Sequence, residues 1–147
     1  MSGSIEFTLD GCSVQAREGE TIFRVAEREG IAIPNLCLGD GLRPVGNCRA
    51  CVVEVEGERT LAASCCRQAA PGMVVHSASE RARTSQRLVV ELLQADMPAS
   101  ALRRDDELRA WAEDLGVGAS RFPARPGLAP DRSHPAITVE LDACIQC

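Results

Sequence analysis

The amino-acid sequence predicts a small α+β sheet domain over residues 1–78. Ile5, Phe7 and Leu9 alternate with polar neighbours, which is the spacing of a half-buried β-strand. Between residues 21 and 29 the apolar side chains recur instead at helical spacing. Further short alternating stretches follow this helix, and strands grouped around one helix are typical of the α+β class.

The elements of this domain have separate signals. Asp10-Gly11 predicts a hairpin turn, and Thr21 is a candidate N-cap for the helix. We expect Cys12 to point into the core with Val14, because both lie on the same face of the second strand. The predicted order is strand 5–9, strand 12–16, helix 21–29, loop 37–51, strand 53–56, strand 59–64 and strand 73–76.

The sequence changes character after residue 78. Residues 79–116 predict a helical extension with a Ser77–Glu80 capping box. Its first helix has an apolar stripe and ends at Pro98, and its second helix runs over 105–115. The stripe comprises Leu88, Val89, Leu92 and Leu93. Residues 117–135 predict an extended, proline-rich linker, and residues 137–141 alternate as a last short strand.

Composition and charge limit the classes of function. The chain has 147 residues, of which 45% are hydrophobic and 25% charged, the ordinary balance of a globular protein. A net charge of −5 argues against a general nucleic-acid binder. No apolar run approaches the roughly 18 residues of a membrane span. The first residues lack the features of a secretory signal, so we expect a cytoplasmic protein.

Cysteine is the unusual component, with 8 residues. Cysteines at short spacings, without a secretory signal, favour metal or redox chemistry over disulfides. An iron–sulfur cluster takes four thiolates. Gly39, Gly41 and Gly46 can bend the loop so that backbone N–H groups point at cluster sulfurs. The candidate thiolates of this stretch are Cys37, Cys48, Cys51 and Cys65.

Two other interpretations stay open at this level. A structural zinc site also uses four thiolates, although its usual signature has two C-x2-C pairs and this stretch has one. Buried thiols without a metal are the plainest alternative. Cys66 adds an ambiguity, because it neighbours Cys65 and adjacent side chains on a strand point to opposite faces.

The stretch from Ile33 to Cys65, IPNLCLGDGLRPVGNCRACVVEVEGERTLAASC, resembles the [2Fe–2S] domain at the N-terminus of complex I-type Fe–S subunits. The resemblance covers residues 4–97 and implies a β-grasp, 2Fe–2S ferredoxin-like fold. The family's Ser-Cys step matches Ser64-Cys65, which favours Cys65 over Cys66 as the fourth ligand. Carried over by position, the implied ligands are Cys37, Cys48, Cys51 and Cys65.

The last residues, SHPAITVELDACIQC from Ser133 to Cys147, are similar to the beginning of the double [4Fe–4S] domain in the α subunit of NAD-dependent, molybdenum-containing formate dehydrogenases. Only two cysteines of that motif are present, Cys144 and Cys147, and a [4Fe–4S] cluster needs four. We therefore expect residues 117–147 to be a linker and the truncated start of such a domain. The chain is then a fragment, and the [4Fe–4S] cluster forms only if the chain continues beyond Cys147.

Residues 67–143 contain no cysteine. The motif of one histidine and three cysteines that many complex I-type relatives carry after the first domain is therefore absent. This absence, with the tail, favours the formate dehydrogenase branch. Fe–S subunits of NADH:quinone oxidoreductase or of NAD-reducing hydrogenase are the alternatives within the family.

The resemblance implies a one-electron carrier domain with a [2Fe–2S] cluster and no catalytic centre of its own. In formate dehydrogenases such a domain relays electrons between the molybdenum site and a flavin- and NAD-binding partner subunit. A stand-alone ferredoxin and a zinc-stapled interaction module are the alternatives from other classes. Trp111 either packs its helix or anchors a partner.

Overall fold

The computed structural model describes residues 4–97 and 106–145 of the chain. The chain divides into two units, Met1–Gln86 and Arg87–Cys147. The first unit holds the predicted sheet domain, and the second begins inside a long helix.

The first unit is built on a mixed five-stranded sheet. Its strands are β1 (Ser4–Leu9), β2 (Cys12–Arg17), β3 (Val52–Val55), β4 (Ala62–Ala63) and β5 (Val74–His76). The spatial order is β2-β1-β5-β3-β4. β1 and β5 are parallel, and the other neighbouring pairs are antiparallel. The predicted α+β class is thereby confirmed.

Helix α1 (Ile22–Arg28) provides the second layer of this core. Thr21 is its N-cap, as predicted, and accepts a hydrogen bond from the backbone N–H of Arg24 at 3.4 Å. The buried side chains of the helix and of the sheet form one apolar cluster. Its largest fully buried members are Phe7, Leu9, Ile22, Val25, Val53 and Val75.

The β1–β2 hairpin forms where it is predicted. Its turn residues have left-handed backbones, with φ of 49° for Asp10 and 83° for Gly11, as a type I′ turn requires. Val14 and Ala16 are buried on the inner face. The prediction that Cys12 joins them is wrong, because Cys12 is exposed. It is the first residue of an edge strand, beside the turn, where that face is open to solvent.

Helix α2 (Glu80–Asp96) begins with a different cap from the predicted one. The hydroxyl of Ser79 accepts from the backbone N–H of Ala82 at 3.1 Å. Ser77 instead donates its backbone N–H and its hydroxyl to the carboxylate of Asp10, at 2.7 and 2.5 Å. Asp10, in the distant β1–β2 turn, thus binds the serine that the local capping pattern assigns to the helix.

The buried face of α2 also differs from the predicted leucine and valine stripe. Leu92 is 49% exposed, whereas Gln86 and Val90 are fully buried. The Gln86 amide donates to the backbone carbonyls of Val52 at 2.9 Å and Ser77 at 3.3 Å, which satisfies its buried nitrogen. Hydrogen bonding therefore places a polar side chain where periodicity favours apolar ones.

The second unit contains helix α3 (Glu107–Asp114), strands β6 (Asp131–His134) and β7 (Ile137–Val139), and a 3₁₀ turn at Leu141–Ala143. Asp106 caps α3 by accepting from the backbone N–H of Leu108 at 2.8 Å. The predicted end of the first helix, Pro98, and the predicted start of the second, Asp105, lie outside the described residues. Two predictions need correction: β6 lies in the segment expected to be linker, and the last strand stops before Leu141. All side chains of β6 and β7 are exposed.

Among residues 4–97 and 106–145, no helix is both long and apolar enough to cross a membrane.

Candidate metal centre

Three of the four predicted ligands come from one loop, and the fourth comes from a turn beside it. The loop at 37–51 lies between α1 and β3 and contains Cys37, Cys48 and Cys51. Cys65 lies in the turn that follows β4. The antiparallel pairing of β3 with β4 brings the end of the loop next to this turn.

Ser64 ties the turn to the loop. Its backbone N–H and its hydroxyl both donate to the carbonyl oxygen of Cys51, at 3.1 and 2.7 Å. The backbone N–H of Phe23, in the first turn of α1, donates to the Ser64 carbonyl at 3.1 Å. Ser64 is fully buried. The fold itself therefore holds Cys51 and Cys65 close together.

The four thiols lie in two pairs. Cys37 interacts with Cys48, and Cys51 interacts with Cys65. Cys37, Cys51 and Cys65 are buried, and Cys48 is partly buried. The structure thus brings the four thiols together as two pairs, and burial shields three of the four from bulk water.

Backbone N–H groups of the loop set the electrostatics of the first pair. Burial opposes ionisation of Cys37, but hydrogen bonds from the backbone and thiol of Cys48 and from the backbone of Asn47 hold its pKa below the ordinary value. Burial dominates at Cys48 and raises its pKa, while the backbone N–H of Ala50 acts in the opposite direction. N–H groups aimed at sulfur stabilise the negative charge of a thiolate or of a cluster.

The second pair lies in a more apolar setting. Burial raises the pKa of the Cys65 thiol, and the charges and hydrogen bonds of Cys51 and, to a smaller extent, of Cys66 raise it further. Two thiolates this close repel each other and favour protonation. A metal cation reverses the balance, because a coordinating thiol is deprotonated by the positive charge of the metal.

This donor set fits a [2Fe–2S] cluster, which takes four cysteine thiolates, two on each iron. The observed 2 + 2 arrangement matches that requirement. Within the part of the chain that the structure describes, no group of three or more His, Cys, Asp or Glu side chains is placed to hold a single metal ion.

Cys66 does not lie on a β-strand, although the prediction for it assumed that it did. Residues 64–66 form a turn, closed by hydrogen bonds from the backbone N–H groups of Cys66 and Arg67 to the Ala63 carbonyl at 3.0 and 2.9 Å. Adjacent side chains need not diverge in a turn, and the Sγ atoms of Cys65 and Cys66 are 3.6 Å apart. The prediction that they point to opposite faces is wrong. Burial distinguishes them instead, since Cys65 is 1% exposed and Cys66 is exposed.

The loop backbone is bent at two of the three predicted glycines. Gly41 and Gly46 have φ of 77° and 66°, and Gly39 has no positive φ. A Cβ on Gly46 would lie 3.1 Å from the Sγ of Cys66, a tight contact at a position whose positive φ already favours glycine. The sequence points to Arg49 only as a positive charge between two ligands and does not predict its φ of 58°, which turns the backbone between Cys48 and Ala50. No sequence signal marks it, because arginine is not a residue favoured in the left-handed region.

The remaining candidates lie elsewhere. Cys144 is exposed in the second unit, and Cys147 lies outside the described residues. His76 contacts the carboxylate of Glu56 at 2.8 Å. His134 ends β6, where its Nδ1 accepts from the backbone N–H of Ala136 at 3.2 Å.

Comparison with known proteins agrees with this geometry. Residues 2–80 match the family model described as a 2Fe-2S iron-sulfur cluster binding domain. The chain is 35% identical to an NADH-quinone oxidoreductase subunit of Rhizobium meliloti, over 97% of this chain and 18% of that protein. It is 35% identical to the NADP-reducing hydrogenase subunit HndD of Solidesulfovibrio fructosivorans, over 97% of this chain and 26% of that protein.

A solved structure extends the likeness to three dimensions. A chain in the crystal structure of an NAD+-reducing [NiFe]-hydrogenase, in the H2-reduced state, matches with a TM-score of 0.87 and 35% identity, over 99% of this chain and 63% of that one. The present chain spans about a fifth of the length of the first curated relatives it matches. On these grounds the chain belongs to the family of 2Fe–2S iron–sulfur cluster-binding domains, and its cofactor is a [2Fe–2S] cluster.

Proposed function

We propose that Cys37 and Cys48 hold one iron of the cluster and that Cys51 and Cys65 hold the other. The observation that carries this assignment is the arrangement of the four thiols as two pairs, of which the second is held together by the double hydrogen bond from Ser64 to Cys51. When bound, the cluster supplies one-electron exchange, and the protein supplies position, insulation and charge.

The two cysteine pairs differ in their exposure to water. Cys51 and Cys65 are each 1% exposed, so the second pair is insulated from water. Cys48 is only partly buried, so the first pair lies closer to the surface. The positive charge of Arg49, between two of the ligands in sequence, favours the reduced form. Leu42, in the same loop, is 64% exposed and offers an apolar contact to a redox partner.

Spectroscopy of the anaerobically purified chain tests the cofactor and its role. We expect about two irons and two acid-labile sulfides per chain, a red-brown colour, and an EPR signal that appears only on one-electron reduction. A colourless protein with one zinc per chain contradicts the proposal and supports the interaction module.

Serine substitutions test the fourth ligand. C65S removes the buried thiol of the second pair, and we expect it to lose the wild-type spectrum. C66S is the matched control, because it makes the same change one residue along on an exposed side chain, and we expect it to retain iron and sulfide. The reverse result would assign the iron to Cys66.

We further propose that the domain belongs to the α subunit of an NAD-dependent, molybdenum-containing formate dehydrogenase, where it relays electrons between the molybdenum site and a flavin- and NAD-binding subunit. The support is the similarity of residues 133–147 to that subunit and the absence of cysteine from residues 67–143. In this assignment residues 1–78 are the cluster domain, 79–116 a helical extension and 117–147 the linker into a [4Fe–4S] domain beginning at Cys144 and Cys147.

Isolation of the native complex decides between the branches. An affinity tag on the native gene product should recover a cytoplasmic complex that contains molybdenum and whose [2Fe–2S] signal appears on addition of formate. A complex without molybdenum, reduced by NADH and not by formate, contradicts this assignment and supports the quinone reductase alternative. Reduction by H2 supports the hydrogenase alternative.

A further inference from the structure

We infer that Cys66 is a hydrogen-bond donor to the ligand sulfur of Cys65 and thereby raises the reduction potential of the cluster. The inference rests on the proposed ligand set. It concerns a fifth thiol, which that set leaves without a role.

The thiols of Cys65 and Cys66 are within hydrogen-bonding distance of each other. The Sγ atoms of Cys65 and Cys66 are 3.6 Å apart, within the range of a hydrogen bond that involves sulfur. In free thiols either atom can be the donor. Once Cys65 binds iron as a thiolate it has no proton to give, so the proton between the two sulfurs belongs to Cys66.

The backbone makes this contact a feature of the fold. The turn at 64–66 is closed by the hydrogen bonds to the Ala63 carbonyl and anchored through Ser64 to Cys51 and Phe23. Gly46 approaches from the loop, where an added Cβ would lie 3.1 Å from the Cys66 Sγ and 3.5 Å from the Ala63 Cβ. The Cys66 thiol therefore lies between the turn and the Gly46 side of the loop.

Burial shows why this donor matters. Cys65 is 1% exposed, so solvent has almost no access to its sulfur, whereas Cys66 is exposed. A donor to a ligand sulfur stabilises the extra negative charge of the reduced cluster more than the oxidised one. Loss of the proton should therefore make reduction harder.

The test is a potentiometric titration of the full chain, followed by EPR, with iron and sulfide counted for each variant. We expect C66A to hold a complete cluster with a more negative midpoint potential, so that the ratio of reduced to oxidised cluster at a fixed ambient potential falls several-fold. C66S keeps a donor and should stay near the wild type. C12A, the same change at an exposed cysteine outside the site, should leave the potential unchanged.

The outcomes separate this inference from the proposed function. A full cluster with an unchanged potential in C66A overturns the role of Cys66 and leaves the ligand set intact. Loss of the cluster in C66A, with retention in C65A, overturns both. If C66A fails to fold, treatment of the assembled wild-type protein with methyl methanethiosulfonate caps the same thiol. The treated wild-type protein must then have a lower midpoint potential than C66S treated with the same reagent. Equal midpoint potentials overturn the inference.

Discussion

Cysteines in the first unit and in the second unit lie in contrasting surroundings. Cys51 and Cys65 are each 1% exposed and belong to the apolar cluster formed by the sheet and α1. Cys144 is exposed, and every side chain of the neighbouring strands β6 and β7 is exposed as well. Both units carry a C-x2-C motif in sequence. The exposure of Cys144 shows that membership of such a motif does not by itself bury a cysteine. A core that orders the surrounding backbone is also needed.

The largest expected effect comes from removing a thiol in each unit. C51S should abolish the [2Fe–2S] cluster, because a thiolate of the insulated pair is lost. C144S should leave the two irons and two sulfides of that cluster in place. Iron and sulfide analysis with the visible spectrum measures both, and equal losses would show that the second unit contributes to the [2Fe–2S] site.

Truncating one apolar side chain in each unit compares the two units by the free energy of unfolding. Leu9 is fully buried in β1, and L9A should cost about 3 kcal/mol from lost burial and a residual cavity. Ile137 is 58% exposed in β7, and I137A should cost less than about 0.5 kcal/mol. Thermal unfolding followed by circular dichroism measures the Tm of both variants. A similar fall in Tm for L9A and I137A would contradict the exposure of the β7 side chains.

A glycine substitution tests the tight contact at the site. G46A places a methyl group 3.1 Å from the Cys66 sulfur on a residue with φ of 66°, and should cost about 1–2 kcal/mol and reduce cluster content. G57A is the control, because Gly57 has φ of 80° but an added Cβ there meets nothing within 4 Å. The excess cost of G46A over G57A should shrink when Cys66 is also alanine, and a constant excess would argue against the contact.

The smallest effect concerns two carboxylates, the partly buried Glu20 and the exposed Asp131. The backbone N–H of Arg17 lowers the pKa of Glu20 from 4.5, assisted by Arg28, and the backbone N–H of Ser133 lowers that of Asp131. A depressed folded-state pKa gives stability that is present above the unfolded-state value and is lost as the pH falls through the folded-state value. E20Q should therefore lower stability by less than about 1 kcal/mol at pH 7, with the gap closing below pH 4.5.

D131N is the counterpart in the second unit. Its carboxylate is exposed, at the start of an exposed strand, and we expect no measurable change in Tm at either pH. Thermal melts at pH 7 and at acid pH compare the two variants. A gap between E20Q and the wild type that widens on acidification would contradict the sign derived for Glu20.

Local patterns predicted the β1–β2 hairpin, α1 and α3 well, and predicted the cap and buried face of α2 and strand β6 poorly. The alternation of β1 and β2, the Asp10-Gly11 turn and the Thr21 cap each depend on residues a few positions apart, and each is observed where it is predicted, whereas the strand predicted over 59–64 is reduced to Ala62–Ala63. The errors occur where a distant group competes with a local signal. Ser77 bonds Asp10 instead of capping α2, and Gln86 takes a buried position because Val52 and Ser77 offer it carbonyls. β6 was missed because an exposed strand has no apolar alternation.

The sequence by itself determined the α+β class, the family, and which cysteines have the spacing of cluster ligands. Periodicity, turn residues and ligand spacing each depend on residues that are close together in the chain. Only the tertiary structure decided how those cysteines pair, since Cys51 and Cys65 meet through the β3–β4 register and the hydrogen bonds of Ser64. It also decided that Cys66 lies beside Cys65 instead of opposite it. Strand alternation applies only while the backbone is extended, and at residues 64–66 the chain turns.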